Sequence, residues 1–117
     1  MRGCFATYIL LTISFVVNVQ AQHPVEIQRK TASGDYMAAL ATYKRMPTRK
    51  ATAASAVAAG KSAWALGLND VAKSEFDRAL SLGDLNGELD ESEVGRIYFS
   101  RGIIEFQEEN YQSSFSD

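Results

Sequence analysis

The chain has 117 residues, enough for one small domain, and a formal net charge of −2 at pH 7. This slightly acidic balance gives no electrostatic case for binding nucleic acid or an anionic membrane surface. The only cysteine is Cys4 and the only histidine is His23, so the chain cannot build an internal disulfide or a cysteine–histidine zinc site. His23 lies in an amino-terminal segment that we expect to fray, so no histidine-dependent triad is predicted.

The first element in the chain, residues 1–21, is predicted to be a secretory signal peptide. Arg2 follows the amino terminus, and CFATYILLTISFVV at 4–17 is an apolar run too short to span a bilayer comfortably. Val19-Gln20-Ala21 supplies the small residues of a cleavage site. We expect cleavage after Ala21, with an uncleaved anchor as the alternative. Cleavage changes the net charge to −3 and leaves an exported protein, periplasmic or secreted, without a stable membrane span.

Six helices are predicted after the signal peptide, near residues 24–32, 36–45, 49–66, 70–82, 91–108 and 111 onward. Apolar residues recur in these segments at steps of three and four, as amphipathic helices require. Pro47 ends the second helix, because the residue before a proline avoids the helical region. Thr48 and Asn69 are predicted N-caps of the next two helices, and Asp90 with Glu93 a capping box for the fifth.

The helical part contains an internal repeat. GDYMAALATYKRM at 34–46 aligns without a gap with GLNDVAKSEFDRA at 67–79, thirty-three positions later. A partial third copy, ENYQSSFSD at 109–117, follows a longer, loop-like connection at 81–92. We therefore expect one helical repeat domain, 22–117, with repeats at about 22–48, 49–83 and 91–117, the last one incomplete.

This repeat resembles the tetratricopeptide repeat, a helix–turn–helix unit of about thirty-four residues that stacks into an all-α solenoid. Gly60 and Gly102 stand where that family has a small residue that lets the second helix pack close to the first. Glu109 departs from the pattern, since it replaces the turn glycine of the third copy. The resemblance assigns repeat packing to Gly34, Tyr36, Ala39, Tyr43, Gly60, Gly67, Ala72, Phe76, Ala79, Gly102 and Tyr111.

The resemblance also implies a concave groove that receives a peptide or helix of a partner protein. The matching positions are Val57, Lys61, Trp64, Arg96, Phe99, Ile103 and Phe106. A basic and aromatic lining suits an acidic peptide or one that ends in a carboxylate. The alternative is that Trp64 and Phe106 fill the seam between repeats. Ala58 replaces the asparagine of the family's carboxylate clamp, so recognition of chaperone tails is not predicted.

Two other stretches resemble ligand sites. SAVAAGKS at 55–62 ends like a phosphate-binding P-loop, but Ser55 replaces the first glycine and the alanine-rich residues before it predict helix. The acidic stretch that opens at Asp84 has the spacing of a calcium loop. However, Gly87 comes too early, and Gly95 stands where that loop needs a bidentate acid. We expect no metal, no cofactor and no catalytic residue.

The sequence therefore predicts a non-enzymatic scaffold or adaptor of the cell envelope that binds another protein or peptide. Because the third copy stops within its second helix, we expect a fragment or truncated product of a longer exported protein. Self-association through that last helix is also expected. The rival prediction is that the repeats form the amino-terminal arm of an exported enzyme whose catalytic domain is missing from this sequence.

Overall fold

The computed structural model describes residues 23–116, with side-chain surroundings for 24–112, so the predicted signal peptide lies outside the described residues. Every regular element in this part of the chain is helical, and none is a strand. The all-α fold class is therefore confirmed. The five α-helices, numbered in chain order, are α1 (His23–Ala32), α2 (Tyr36–Arg45), α3 (Ala53–Ala65), α4 (Asn69–Asn86) and α5 (Glu91–Ser116).

The turn from α1 to α2 and the turn from α3 to α4 have the same backbone hydrogen bonds. Gly34 and Gly67 have φ angles of 83° and 77°, in the left-handed region that glycine adopts at least cost. The residue after each glycine donates its N–H to the carbonyl five residues earlier, at 2.9 Å after α1 and 2.8 Å after α3. Both turns are Schellman motifs, so the two helix pairs leave their first helix in the same way.

The helix α3 lies at the centre of the packing and contacts α1, α2 and α4. Its buried residues are all small, which lets the neighbouring helices approach closely: Ala53, Ser55, Ala56, Ala58, Ala59, Gly60, Ser62 and Ala63. The large side chain at this centre is Phe76 of α4, which is 1% exposed. A Cβ added to Gly60 would lie 2.7 Å from its Cε1 atom, so α3 and α4 meet at a glycine.

The start of α3 differs from the prediction. Thr48–Lys50 form a short 3₁₀ turn, and α3 begins at Ala53. Its N-cap is Thr52, whose side chain accepts the N–H of Ser55 at 3.1 Å, while Ser55 Oγ accepts the N–H of Thr52 at 2.8 Å. This is a capping box with serine in the place that glutamate or glutamine usually takes. The usual sequence signature is therefore absent, and Thr48 was wrongly predicted as the cap.

The helix α4 continues to Asn86, beyond the predicted end near residue 82. Gly83 was predicted to belong to a loop because glycine favours turns, yet it is a buried helical residue. A Cβ added there would lie 2.5 Å from Cδ1 of Leu89. Gly83 thus makes room for the returning chain, and Gly87, with a φ angle of 64°, ends the helix.

The other two predicted caps have different outcomes. Asp90 and Glu93 form the predicted capping box of α5: the N–H of Asp90 donates to Glu93 Oε2 at 2.9 Å, and the N–H of Glu93 donates to Asp90 Oδ1 at 2.8 Å. The prediction for Asn69 is wrong. Leu68 is the N-cap of α4 and makes no side-chain cap bond, so the turn geometry starts this helix.

The helix α5 runs without interruption from Glu91 to Ser116. The predicted division into helices at 91–108 and 111 onward is therefore wrong. The two earlier turns depend on a left-handed glycine, and Glu109 stands in its place here, so nothing forces the helix to end. Within the described residues no further helix packs on α5. Gly102 consequently has open space around its Cβ position, and Tyr111 is 66% exposed instead of packed between helices.

The helix α5 packs on α4 through one narrow stripe. Ile97 and Ile104, two turns apart, are buried, with exposures of 3% and 0%. Arg101 hydrogen-bonds to Asp77 beside them. Lys73 Nζ lies 2.8 Å from Glu108 Oε2 further along, and this hydrogen bond raises the pKa of Lys73. No element of the described part of the chain covers the opposite side of α5.

Candidate groove between α1, α3 and α5

A groove of about 500 Å³ lies where α1, α3 and the amino-terminal half of α5 face one another. Its floor contains the buried residues Ala58, Phe76 and Ile97. Each of the three helices adds polar or charged residues to its walls: Gln28 and Thr31 from α1, Lys61 from α3, and Arg96 and Ser100 from α5. An apolar floor with a few converging polar groups is typical of a binding site.

A side chain from the acidic connection between α4 and α5, residues 87–90, holds the end of the groove in place. Glu88 Oε2 accepts the backbone N–H of Ala53, the first residue of α3, at 2.7 Å. A carboxylate is stabilised at a helix amino terminus, where unpaired N–H groups and the helix dipole favour negative charge. This contact fixes the start of α5 relative to α3, and it gives Glu88 a structural role.

A polar contact holds the other wall. Thr31 Oγ1 lies 2.9 Å from Ser62 Oγ and donates to the carbonyl of Ile27 at 2.9 Å. Ser62 is completely buried, so this contact satisfies a hydroxyl that water cannot reach. It fixes the position of α1 on α3.

The resemblance of residues 55–62 to a P-loop has no structural counterpart. A P-loop wraps its backbone N–H groups around phosphate at the start of a helix. Here Gly60, Lys61 and Ser62 lie inside α3, where their N–H groups belong to the helix. Gly60 is in addition closed off by Phe76. The arrangement leaves no place for a phosphate at this position.

The groove contains two cations without a carboxylate partner. Lys61 and Arg96 are both exposed at its walls, and neither forms an ion pair within residues 24–112. The two acidic residues at the same groove already accept backbone N–H groups, Glu88 from α3 and Glu93 from Asp90. Positive hydrogen-bond donors are therefore available in the groove, while its carboxylates have structural partners.

The structure does not bring together all seven residues predicted for the groove. Val57, Lys61 and Arg96 line it. Trp64 is half-buried and packs against the core instead. The remaining three, Phe99, Ile103 and Phe106, do not line the groove. Because Ile97 and Ile104 are buried, the side of α5 that carries the three faces away from it. Phe106 is 64% exposed, so it fills no seam between repeats in the described part of the chain.

Sequence reasoning missed the contributions of Gln28, Thr31 and Ser100. Helical periodicity identifies which face of α1 is apolar, but it does not give the angle at which α1 crosses α3. The sequence did contain one signal that α1 and α3 are in contact. Thr31 and Ser62 are polar residues on otherwise apolar faces, and buried hydroxyls need partners.

A second, smaller cavity of about 230 Å³ lies beside a hydrogen-bond network between α2 and α4. Tyr43 donates its hydroxyl proton to Glu75 Oε2 at 2.6 Å and accepts from Arg78 Nη1 at 2.7 Å. The Arg78 guanidinium also lies 5.6 Å from the centre of the tyrosine ring. Burial, together with the bond to Glu75, raises the pKa of Tyr43 above its ordinary value. The phenol therefore stays neutral and joins the two helices.

Two further kinds of site are absent from the described residues. Within 23–116, no three histidine, cysteine, aspartate or glutamate side chains are grouped so that they could hold a metal ion. None of the helices there combines the length and apolar character that a membrane crossing requires. The acids after α4 cap helices: Glu88 accepts an N–H at the start of α3, and Asp90 with Glu93 caps α5.

Comparison with protein-family models, with curated proteins and with solved structures found no match to this chain. Any assignment of function therefore depends on the repeat, the groove and the charges described above.

Proposed function

We propose that this chain is an exported interaction protein that binds an acidic segment of another protein in the groove between α1, α3 and α5. The observation that carries the proposal is a pair of cations, Lys61 and Arg96, that stand on the walls of one groove without an ion-pair partner among residues 24–112. Charge-assisted hydrogen bonds to carboxylates are stronger than neutral ones and give direction to binding. The preferred occupant is a segment rich in aspartate and glutamate, or one with a terminal carboxylate.

The size of the groove supports an extended segment as the occupant. A volume of about 500 Å³ accommodates a few side chains and not a folded domain. The partly buried side chains of Val57 and Leu89 at the groove offer apolar contact for a side chain between two charged ones. A short segment with an apolar residue among acidic residues therefore fits both the shape and the charge of the groove.

Tetratricopeptide-like architecture is part of the proposal. The two turns at Gly34 and Gly67 share their hydrogen bonds at the thirty-three-residue spacing of the repeat. Ala39 and Ala72, one repeat apart, are both fully buried. The long α5 departs from the family's helix–turn–helix unit, so the proposal covers two repeats followed by one extended helix. Together with the sequence of residues 1–21, this suggests a scaffold or adaptor of the periplasm or the extracellular space.

A selection from a displayed peptide library tests the binding proposal. The purified protein should enrich peptides with several acidic residues. Reversing both groove cations, Lys61→Glu with Arg96→Glu, should weaken binding of a selected peptide at least roughly tenfold. Reversing Arg49 and Lys50, which are exposed and outside the groove, gives a matched control that should keep the affinity.

Either of two results would contradict this proposal. A selection that enriches no acidic peptides would show that the groove cations do not choose the occupant. Equal loss of affinity in both double variants would show that net charge, and not the groove, governs binding.

A further inference from the structure

The side of α5 that faces away from α4 is a second apolar surface. This outer face of α5 consists of Gly95, Phe99, Gly102, Ile103 and Phe106, which recur at helical steps of three and four. Phe99 and Phe106 are 70% and 64% exposed, and in the described part of the chain nothing but the adjacent part of α5 lies within 4 Å of the Cβ position of either glycine. Two exposed rings thus flank a recess over Gly102. A helix that is apolar on two opposite sides is typically covered on both.

The charges of α5 indicate what kind of surface could cover it. Among its residues 91–112, acids outnumber bases by five to two: Glu91, Glu93, Glu105, Glu108 and Glu109, against Arg96 and Arg101. Arg101 is already paired with Asp77 and with Glu105, and Glu108 is paired with Lys73. Within the described residues this leaves three acids of α5 without a basic partner, against the one base Arg96. Two copies of α5 laid against each other would therefore bring like charges together. A basic partner surface is favoured instead.

The outer face of α2 has that basic character. Met37, Ala41 and Lys44 share one side of this helix, are exposed, and are followed by the exposed Arg45. Neither Lys44 nor Arg45 forms an ion pair within residues 24–112. Along the stretch 23–50, six bases stand against two acids: Arg29, Lys30, Lys44, Arg45, Arg49 and Lys50, against Glu26 and Asp35. The two ends of the described chain thus have opposite charge.

The geometry points to head-to-tail association, in which the outer face of α2 of one molecule docks on the outer face of α5 of a second copy. The spacings match when the two helices run parallel. Met37 lies seven residues before Lys44, and Gly102 lies seven residues before Glu109, a distance of about 10 Å on both helices. Met37 then enters the recess between the two phenylalanine rings, where methionine sulfur makes favourable contacts with aromatic groups. Lys44 at the same time lies against Glu109.

This interface joins two different surfaces, so each molecule keeps one free face of each kind. Such heterologous contacts produce a chain of molecules, or a ring if the rotation closes. The inference is independent of the groove, because none of its residues lines that groove. Peptide binding and self-association can therefore fail separately.

Sedimentation analysis of charge-reversed variants tests the inference. The protein is produced from the full sequence, and mass spectrometry identifies its first residue. One variant reverses the outer face of α2, Lys44→Glu with Arg45→Glu, and a second reverses the exposed acid of α5 that Lys44 would meet, Glu109→Lys. Each variant alone should self-associate at least roughly tenfold more weakly than the parent protein. An equimolar mixture should regain association, because each reversed face then meets an opposite charge.

Asp84→Lys, which reverses an exposed acid of α4 outside both faces, is the matched control and should associate like the parent. Circular dichroism of every variant confirms that it is folded. Raising the sodium chloride concentration from about 50 mM to about 500 mM should weaken the parent's association, because salt screens exposed charges. A parent protein that stays monomeric up to about 200 µM, where even weak contacts would register, would overturn the inference. Undiminished association of the α2 variant would also overturn it, since pairing through α5 alone leaves that variant unaffected.

Discussion

A Cβ atom added to Gly60 would lie 2.7 Å from Cε1 of Phe76, closer than real Cβ contacts. The backbone of α3 and the phenylalanine of α4 therefore meet at a point where no other residue type fits without movement. Gly102 holds the equivalent place in the third copy of the repeat, but among the described residues only the adjacent part of its own helix lies within 4 Å of its Cβ position. The two glycines provide a direct test of which copies are packed.

Gly60→Ala should lower the free energy of unfolding by about 1–2 kcal/mol, because the cost of overpacking the core exceeds the gain in helix propensity. Gly102→Ala is the control and should raise it by about 0.5–1 kcal/mol, since alanine favours the helix and meets nothing. Urea denaturation measures both. Equal stability of the two variants would contradict the packing described for Gly60.

The two turn glycines should be equally sensitive to substitution. Gly34→Ala and Gly67→Ala each place an L side chain in the left-handed region, which costs about 1–2 kcal/mol. Asparagine at either position should cost less, because it tolerates this conformation. Thermal melting of the four variants tests the equivalence. If one glycine could be replaced freely and the other could not, the two turns would not be structural copies.

The capping residue of α3 can be identified by two matched threonine substitutions. Thr52→Ala removes the oxygen that accepts the N–H of Ser55 and should cost about 1 kcal/mol of stability. Thr48→Ala removes an exposed hydroxyl that caps nothing, and its effect should stay within about 0.5 kcal/mol. Denaturant midpoints of the pair distinguish the caps. The reverse order would restore Thr48 as the start of the helix.

Removing the hydroxyl of Tyr43 should change both stability and its pH dependence. Tyr43→Phe loses the hydrogen bonds to Glu75 and Arg78 and should cost about 1 kcal/mol at neutral pH. The pKa of this phenol is raised on folding, so the unfolded chain ionises first as the pH rises. The stability that the Tyr43 hydroxyl contributes to the fold is therefore complete below about pH 10 and is lost above it.

The parent protein should accordingly lose stability more steeply than Tyr43→Phe above about pH 10. Denaturant titrations at about pH 8 and about pH 10.5 give the comparison. Parallel losses in the two proteins would show that Tyr43 ionises equally in the folded and unfolded states.

Local sequence rules predicted the early helices well and the later boundaries less well. Pro47 and the turn at Gly34 gave the limits of α2 correctly, because both act on the backbone alone. Gly83 was taken for a loop residue, since its packing against Leu89 depends on where the chain returns. The third copy matched a turn in composition, but without a glycine at Glu109 the helix continued.

The groove could be predicted only in part for a related reason. Two apolar stripes run along α5, one with Ile97 and Ile104 and one with Phe99 and Phe106, and periodicity does not say which of them faces α4. The structure buries the isoleucines, which puts Arg96 into the groove and turns the phenylalanines outward. The rotation of one helix about its axis thus decided which predicted residues share a surface.

The most direct test of the proposed function is nuclear magnetic resonance mapping of an acidic peptide, taken from the displayed library, on the isotope-labelled protein. The proposal predicts amide shift changes at Val57, Lys61, Arg96 and Ser100, and their loss in the Lys61→Glu, Arg96→Glu variant. Changes confined to the outer face of α5, or shifts that persist unchanged in that variant, would contradict binding in the groove.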